Sequence, residues 1–349
     1  MNSESKKINE YSKKLFIFFV SCFLILVIIT IILLFIPSKN SSPNILTCGD
    51  GTFYGNCSIL KPFFCEEGQL IEKSSNCGCY DNYFETDESC FNEIYTNEKE
   101  NSFQYFFNGE YAEINLFLYR GIYDYLNNLP RSIYYSGDEA PNRRDFVLLK
   151  LKDEIQKQEI QGLIVQIQNL APESKLDQAR IAISLVQNIP YANSGENISF
   201  AGNSIEKSRF PYQVLYDNNG TCEEKSELLV LILKELGYGV AVFYYDNENH
   251  ESVGIKCPVG KSLDESGYCF IETTAPSVIG DSGGEYFGTG KLLSKPEMFL
   301  INDGLSLPKG ISEYRDSKLI MRLREGKIAL ILFPHHFLEK INAKYGILF

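Results

Sequence analysis

The chain has ten cysteines and three histidines, and one of each falls in a pattern suited to nucleophilic chemistry. Asp217-Asn218-Asn219-Gly220 reads as a turn. Thr221-Cys222-Glu223-Glu224 follows with the form of a capping box, Thr221 as N-cap and Glu224 at the third helical position. Cys222 therefore opens a helix that runs through the apolar stretch Leu228–Leu236 and ends at Gly237. Partial positive charge at a helix start favours a thiolate. Glu223 and Glu224 oppose it, so an activated Cys222 needs an imidazole. His250 begins a run ending at Lys256 that reads as a strand, after a β-branched and aromatic strand at Val240–Tyr245. Tyr268–Thr273 reads as the next strand and carries Glu272. A cysteine at a helix start, a histidine and a carboxylate on adjacent strands form the constellation in which imidazole takes the thiol proton and the acid fixes the imidazole.

The remaining cysteines set the compartment. Cys257 and Cys269 fall near the joined ends of two neighbouring strands, where a disulfide clips the connection. Cys48, Cys57, Cys65, Cys77, Cys79 and Cys90 cluster in a Gly-, Asn- and Ser-rich stretch that cannot bury much core, so cross-links must hold it together. Six cysteines allow fifteen connectivities, and the sequence does not choose among them. Four disulfides with Cys222 left free suit an oxidising compartment. The cluster has no histidine and fits no standard zinc spacing. His335 and His336 follow Pro334; on a strand their side chains point to opposite faces and chelate poorly. No metal or organic cofactor is expected.

Residues Leu15–Ile36 form an uncharged apolar run. A helix of that length spans about 33 Å, enough for a bilayer core. The run is longer than a signal-peptide core, and Lys6, Lys7, Lys13 and Lys14 precede it, so it reads as an uncleaved anchor with its amino end in the cytoplasm. The lipid bilayer is thus one expected partner. The balance of 45 acidic against 33 basic residues, a formal charge of −12, argues against nonspecific nucleic-acid binding.

These features order the chain as a cytoplasmic tail (1–14), a membrane anchor (15–36), a linker (37–47), a disulfide-rich module (48–90), a mainly helical part (100–175), the core bearing Cys222 (176–290) and a C-terminal α/β extension (291–349). In the mainly helical part, residues 105–128 carry a dense set of aromatics read as core, and Arg144–Ile164 has helical spacing. Leu176–Ile189 is an amphipathic helix stopped by Pro190. In the extension, Lys327–Phe333 reads as a strand.

The segments FPYQVLYDNNGTCEEKSELLVLILKELGY, NHESVGIKC and GYCFIETTAP, with LDQARIAISLVQNIPY before them, resemble the transglutaminase-like superfamily, in particular its membrane-anchored archaeal members. CGDGTFYGNCSILKPFFC similarly resembles small cysteine-rich modules of archaeal surface proteins. The first resemblance implies an α+β, papain-like fold, with a helix bearing the cysteine packed on an antiparallel sheet bearing the histidine and the acid. It implies acyl chemistry on an amide of a peptide, protein or cell-envelope substrate, with Cys222 as nucleophile, His250 as base and Glu272 as acid. The acid is usually aspartate in that family, and this chain has no tryptophan, which assists the oxyanion in the crosslinking members. The backbone amide of Cys222, with Gln213, is the expected oxyanion donor. A non-catalytic surface module that binds peptide in the same cleft is the alternative reading. Two glycosylation sequons, Asn197-Ile198-Ser199 and Asn219-Gly220-Thr221, bear on the site, because a glycan on Asn219 would crowd Cys222.

Overall fold

A computed structural model describes residues 4–35, 47–80, 83–92, 94–193, 195, 197–200, 203–286, 289–326 and 334–347. The proposed strand Lys327–Phe333 and nearly all of the linker lie outside them. The chain divides into two units, Met1–Cys90 and Phe91–Phe349.

The first unit contains the helix Glu4–Phe35. Its segment Ser12–Ile31 has a mean hydropathy of 2.8 and none of it is buried by protein. By length and composition it is able to cross a membrane, as an anchor or as a signal. In the cysteine module the structure selects one connectivity: Cys48–Cys65, Cys57–Cys77 and Cys79–Cys90. The first two bridges interleave in sequence, which ties the hairpin of Phe63–Glu66 with Gln69–Glu72 to both of its flanks. Cys48 and Cys65 are themselves buried, so here the cross-link and the small core coincide.

The second unit is mixed α/β. A four-stranded antiparallel sheet runs in the order Tyr268–Ile271, His250–Lys256, Val240–Tyr245, Glu297–Asn302. The last strand comes from the C-terminal extension, which thereby adds an edge to the sheet. Val240, Val242, Val253, Ile255 and Ile271 share one core with the helix Cys222–Glu235, whose residues Leu228 through Leu233 are all fully buried. Ala241, Phe243, Tyr245, Tyr268 and Phe270 form a second cluster with Tyr286. The alternation follows from the two-residue period of a strand, and because protein covers both faces these strands have almost no polar side.

The part expected to be mainly helical begins differently. Glu98–Phe107 and Glu110–Tyr119 make a long antiparallel hairpin about an Asn108-Gly109 turn, both residues at positive φ, the conformation that an Asn-Gly pair adopts most readily. Phe103, Tyr105, Ile114, Leu116 and Leu118 alternate as its buried side. Of the aromatics expected to be core, Tyr105 and Tyr123 are buried while Tyr111 and Phe117 are exposed, and the stretch is strand rather than helix up to Tyr119. The helix Arg120–Asn128 follows. Arg143–Leu151 and Glu154–Leu170 are two helices, because Asp153 turns its carboxylate onto the Gln156 amide and caps the second. Lys175–Asn188 matches the expected amphipathic helix and packs on the hairpin, with Ser184 Oγ accepting from Phe106 N at 2.8 Å.

Cys257 is bonded to Cys269, closing the connection between the strand that starts with His250 and the strand Tyr268–Ile271, which Glu272 directly follows. They are 12 residues apart. Replacing both by alanine is expected to lower the unfolding free energy by about 3 kcal/mol, the loop-closure value for so short a ring. Chemical denaturation checks this; an unchanged midpoint contradicts it.

Candidate functional site

The helix Pro211–Asp217 ends at Asn218, which takes the left-handed conformation at φ 53° and turns the chain. Thr221 then caps the next helix: its Oγ1 accepts from Glu224 N, and Glu224 returns a carboxylate oxygen to Thr221 N at 2.9 Å. Cys222 is the first helical residue, with its thiol free and partly exposed. Thr273, just past the end of the strand Tyr268–Ile271, donates its hydroxyl to the Cys222 carbonyl at 3.5 Å, and Ser226 hydrogen-bonds both Glu251 O and Thr273 Oγ1. These contacts seat the helix start against the strand ends.

His250 and Glu272 lie together there. His250 Nε2 and Glu272 Oε2 are 3.0 Å apart, with exposures of 0% and 1%. Cys222 lies close enough to the imidazole to bear on its charge. The other Glu272 oxygen accepts from Thr273 N, Thr274 N and Thr274 Oγ1, at 3.0, 2.8 and 2.6 Å. The carboxylate is therefore locked in place, and the extra methylene of glutamate still reaches the ring. Burial alone disfavours a charged imidazole. The hydrogen bond with Glu272 and the proximity of Cys222 outweigh it, and the His250 pKa is pushed up to about 10.

The two carboxylates next to Cys222 are compensated. Glu223 pairs with Lys150 at 3.1 Å and Arg143 at 3.2 Å and accepts from Ser208 Oγ; the Lys150 ammonium holds its carboxyl down at about 2. Glu224 is buried against Arg209, which also binds Asp217 and Asn219. The opposition to a thiolate expected from these two neighbours is thus largely offset by their own partners.

Gln213 is corrected. It is fully buried in the cap of its own helix: Oε1 accepts from Phe210 N at 3.0 Å and Nε2 donates to the Tyr123 carbonyl at 3.2 Å. An amide used in this way serves the fold of the preceding segment rather than an oxyanion. The His335-His336 pair is also corrected, since Pro334–Tyr345 is a helix; His336 is exposed, 3.9 Å from Glu339. Among the described residues no group of three or more His, Cys, Asp or Glu is disposed to hold a metal ion.

Four contributors escaped the sequence reading. Thr274 fixes Glu272. Tyr286 stacks on the His250 ring, with centroids 5.6 Å apart and planes 11° apart. Thr289 Oγ1 lies 3.3 Å from His250 Nδ1. Gln187, near the end of its helix, donates to the Glu272 and Ser277 carbonyls. Only Thr274 had a signal, its place two residues after the acid; the others arrive through long-range packing.

No protein-family model matches the chain, and no curated protein sequence does either. Among solved structures, LapG of Legionella pneumophila in its calcium-bound form aligns over 51% of this chain and 98% of its own length, at 13% identity and a TM-score of 0.27. At that score the superposition is too loose to carry any residue's role.

Two outcomes are expected. Asn219 Nδ2 donates to Asp217 O and its Oδ1 accepts from Arg209 Nη1, so its amide nitrogen is already engaged in the turn. Glycopeptide mass spectrometry should find Asn219 bare, and full occupancy there would contradict the packing described. Arg209→Met leaves Glu224 buried without its cation and is expected to cost about 3–5 kcal/mol in denaturant titration; a loss under about 1 kcal/mol would contradict the pairing.

Proposed function

We propose that the protein is a membrane-anchored cysteine amide hydrolase or acyltransferase of the transglutaminase-like type, facing outward from the cell. The observation that carries the reading is the buried His250–Glu272 pair, 3.0 Å apart, beside the free thiol of Cys222 at the start of its helix. Four lysines before the apolar helix and four disulfides after it support an outward ectodomain.

In this reading the Cys222 thiolate attacks the carbonyl carbon of a carboxamide or peptide bond. The oxygen gains charge at the start of the Cys222–Glu235 helix, where first-turn N–H groups have no partner within the helix. His250 then gives its proton to the departing amine, and the tetrahedral species collapses to a thioester. Water or a second amine attacks the thioester while His250 takes a proton from it. The thiolate leaves, and the acid or the new amide is released. Glu272 keeps the imidazole oriented and stabilises its charged form throughout. The substrate is an amide of a neighbouring surface protein, peptide or envelope polymer.

One observation favours a second reading. His250 has no exposed surface, Tyr286 lies over its ring and Thr289 reaches Nδ1. A peptide-binding module that never turns over would tolerate such closure.

Alkylation separates the two. The full-length chain in detergent is treated with iodoacetamide, and modification of the Cys222 peptide is followed by mass spectrometry. With an active pair, the rate at pH 6 stays within about threefold of the rate at pH 8. An unperturbed thiol of pKa about 8.5 loses roughly 75-fold over that interval. His250→Ala should show the steep loss. A steep loss in the wild type, unchanged by the substitution, would favour the binding module.

A further inference from the structure

Lys225 stands one helical turn after Cys222 on the same face of the helix, a spacing that brings side chains to about 5–6 Å at Cβ. It is fully buried, and its stem passes against Gly220, where an added Cβ would come within 3.1 Å of Lys225 Cγ. Its ammonium donates to two main-chain carbonyls at the end of the Lys175–Asn188 region, Ile189 O at 2.5 Å and Gln187 O at 3.3 Å. Both partners are neutral, and a buried cation held only by neutral groups is costly.

The charges that face it explain its retention. Burial pushes Lys225 down to about 7, while Glu272, just past the end of the strand Tyr268–Ile271, and Cys222 from its own helix act in the opposite sense. From the Lys175–Asn188 helix it meets carbonyls, and the Gln187 side chain is neutral and engaged with Glu272 O. The thiolate and imidazolium that the proposed reaction requires, with the Glu272 carboxylate, sum to one negative charge around a buried pair. One ammonium brings the sum to zero.

We propose that Lys225 is a positioning residue for this site: its ammonium is the fourth charge, balancing Cys222 and Glu272 so that the thiol proton stays on His250. The proposal rests on the acyl-transfer reading above. A lysine that merely caps the carbonyls at a helix end would affect stability and leave thiol reactivity alone.

The test uses the full-length chain in lipid nanodiscs, with Cys222 alkylation by iodoacetamide followed between pH 5 and 9. Lys225→Gln keeps a donor for the two carbonyls and removes the charge. It should slow alkylation at pH 6 at least tenfold and move the profile up by one pH unit or more. A profile matching the wild type overturns the proposal. A second arm needs no substitution. In wild-type chain carrying 13C,15N-lysine, the lysine Nζ that titrates near neutrality should shift its midpoint down by at least one unit once Cys222 is carboxamidomethylated, because coupling between two sites is reciprocal. An unchanged midpoint overturns the proposal even if Lys225→Gln does not fold. Wild-type reactivity that depends on His250 while Lys225→Gln has no effect would remove Lys225 alone; reactivity indifferent to His250 would remove the acyl-transfer reading.

Discussion

A histidine and a glutamate buried side by side are expensive in a protein interior, and the second unit is organised around making that pair tolerable. His250 and Glu272 lie 3.0 Å apart with essentially no exposed surface. Glu272 is saturated by two backbone amides and the Thr274 hydroxyl. Its own carbonyl is held by Gln187, so the helix Lys175–Asn188 reaches the acid strand directly. The disulfide Cys257–Cys269 clips the two strands at their far ends. Each device removes freedom from the pair, so its geometry is fixed by the fold.

Around this pair the fold compensates charge locally. Glu223 sits between Lys150 and Arg143, and Glu224 sits against Arg209. Lys150 also meets Glu227 at 2.6 Å, and Arg143 meets Glu251 at 2.6 Å. Burial raises both Glu227 and Glu251 above the usual carboxylate range, and Glu251 reaches about 7. The helix that starts at Cys222 is thus anchored through its first two turns by ion pairs to elements far away in sequence. Their worth lies in fixing where the helix begins, because buried pairs add little net stability but cost a great deal when half is removed.

Much of this was legible locally. The capping box at Thr221, the stop at Gly237 and the three strands after it follow from short-range rules, and the structure reproduces them within a few residues. The choice of Cys222 came from elimination among cysteines. What was missed was non-local. Tyr286 and Thr289 lie in a glycine-rich stretch with no periodicity, and only the folded chain brings them to His250. Gln213 looked available because its sequence position precedes the nucleophile, yet an amide three residues into a helix readily folds back on its own cap. The hairpin Glu98–Tyr119 carries alternation that a count of aromatics hides. The connectivity of six clustered cysteines is a matter of three-dimensional distance that spacing does not encode.

The central claim is that His250 rests as an imidazolium beside Cys222 and Glu272. The direct measurement is the 15N chemical shift of both His250 ring nitrogens in 15N-histidine-labelled chain, assigned with His335 and His336 substituted. The account predicts two protonated nitrogens at pH 8, with a titration near 10. A neutral ring titrating near the ordinary value of about 6.5 would contradict it.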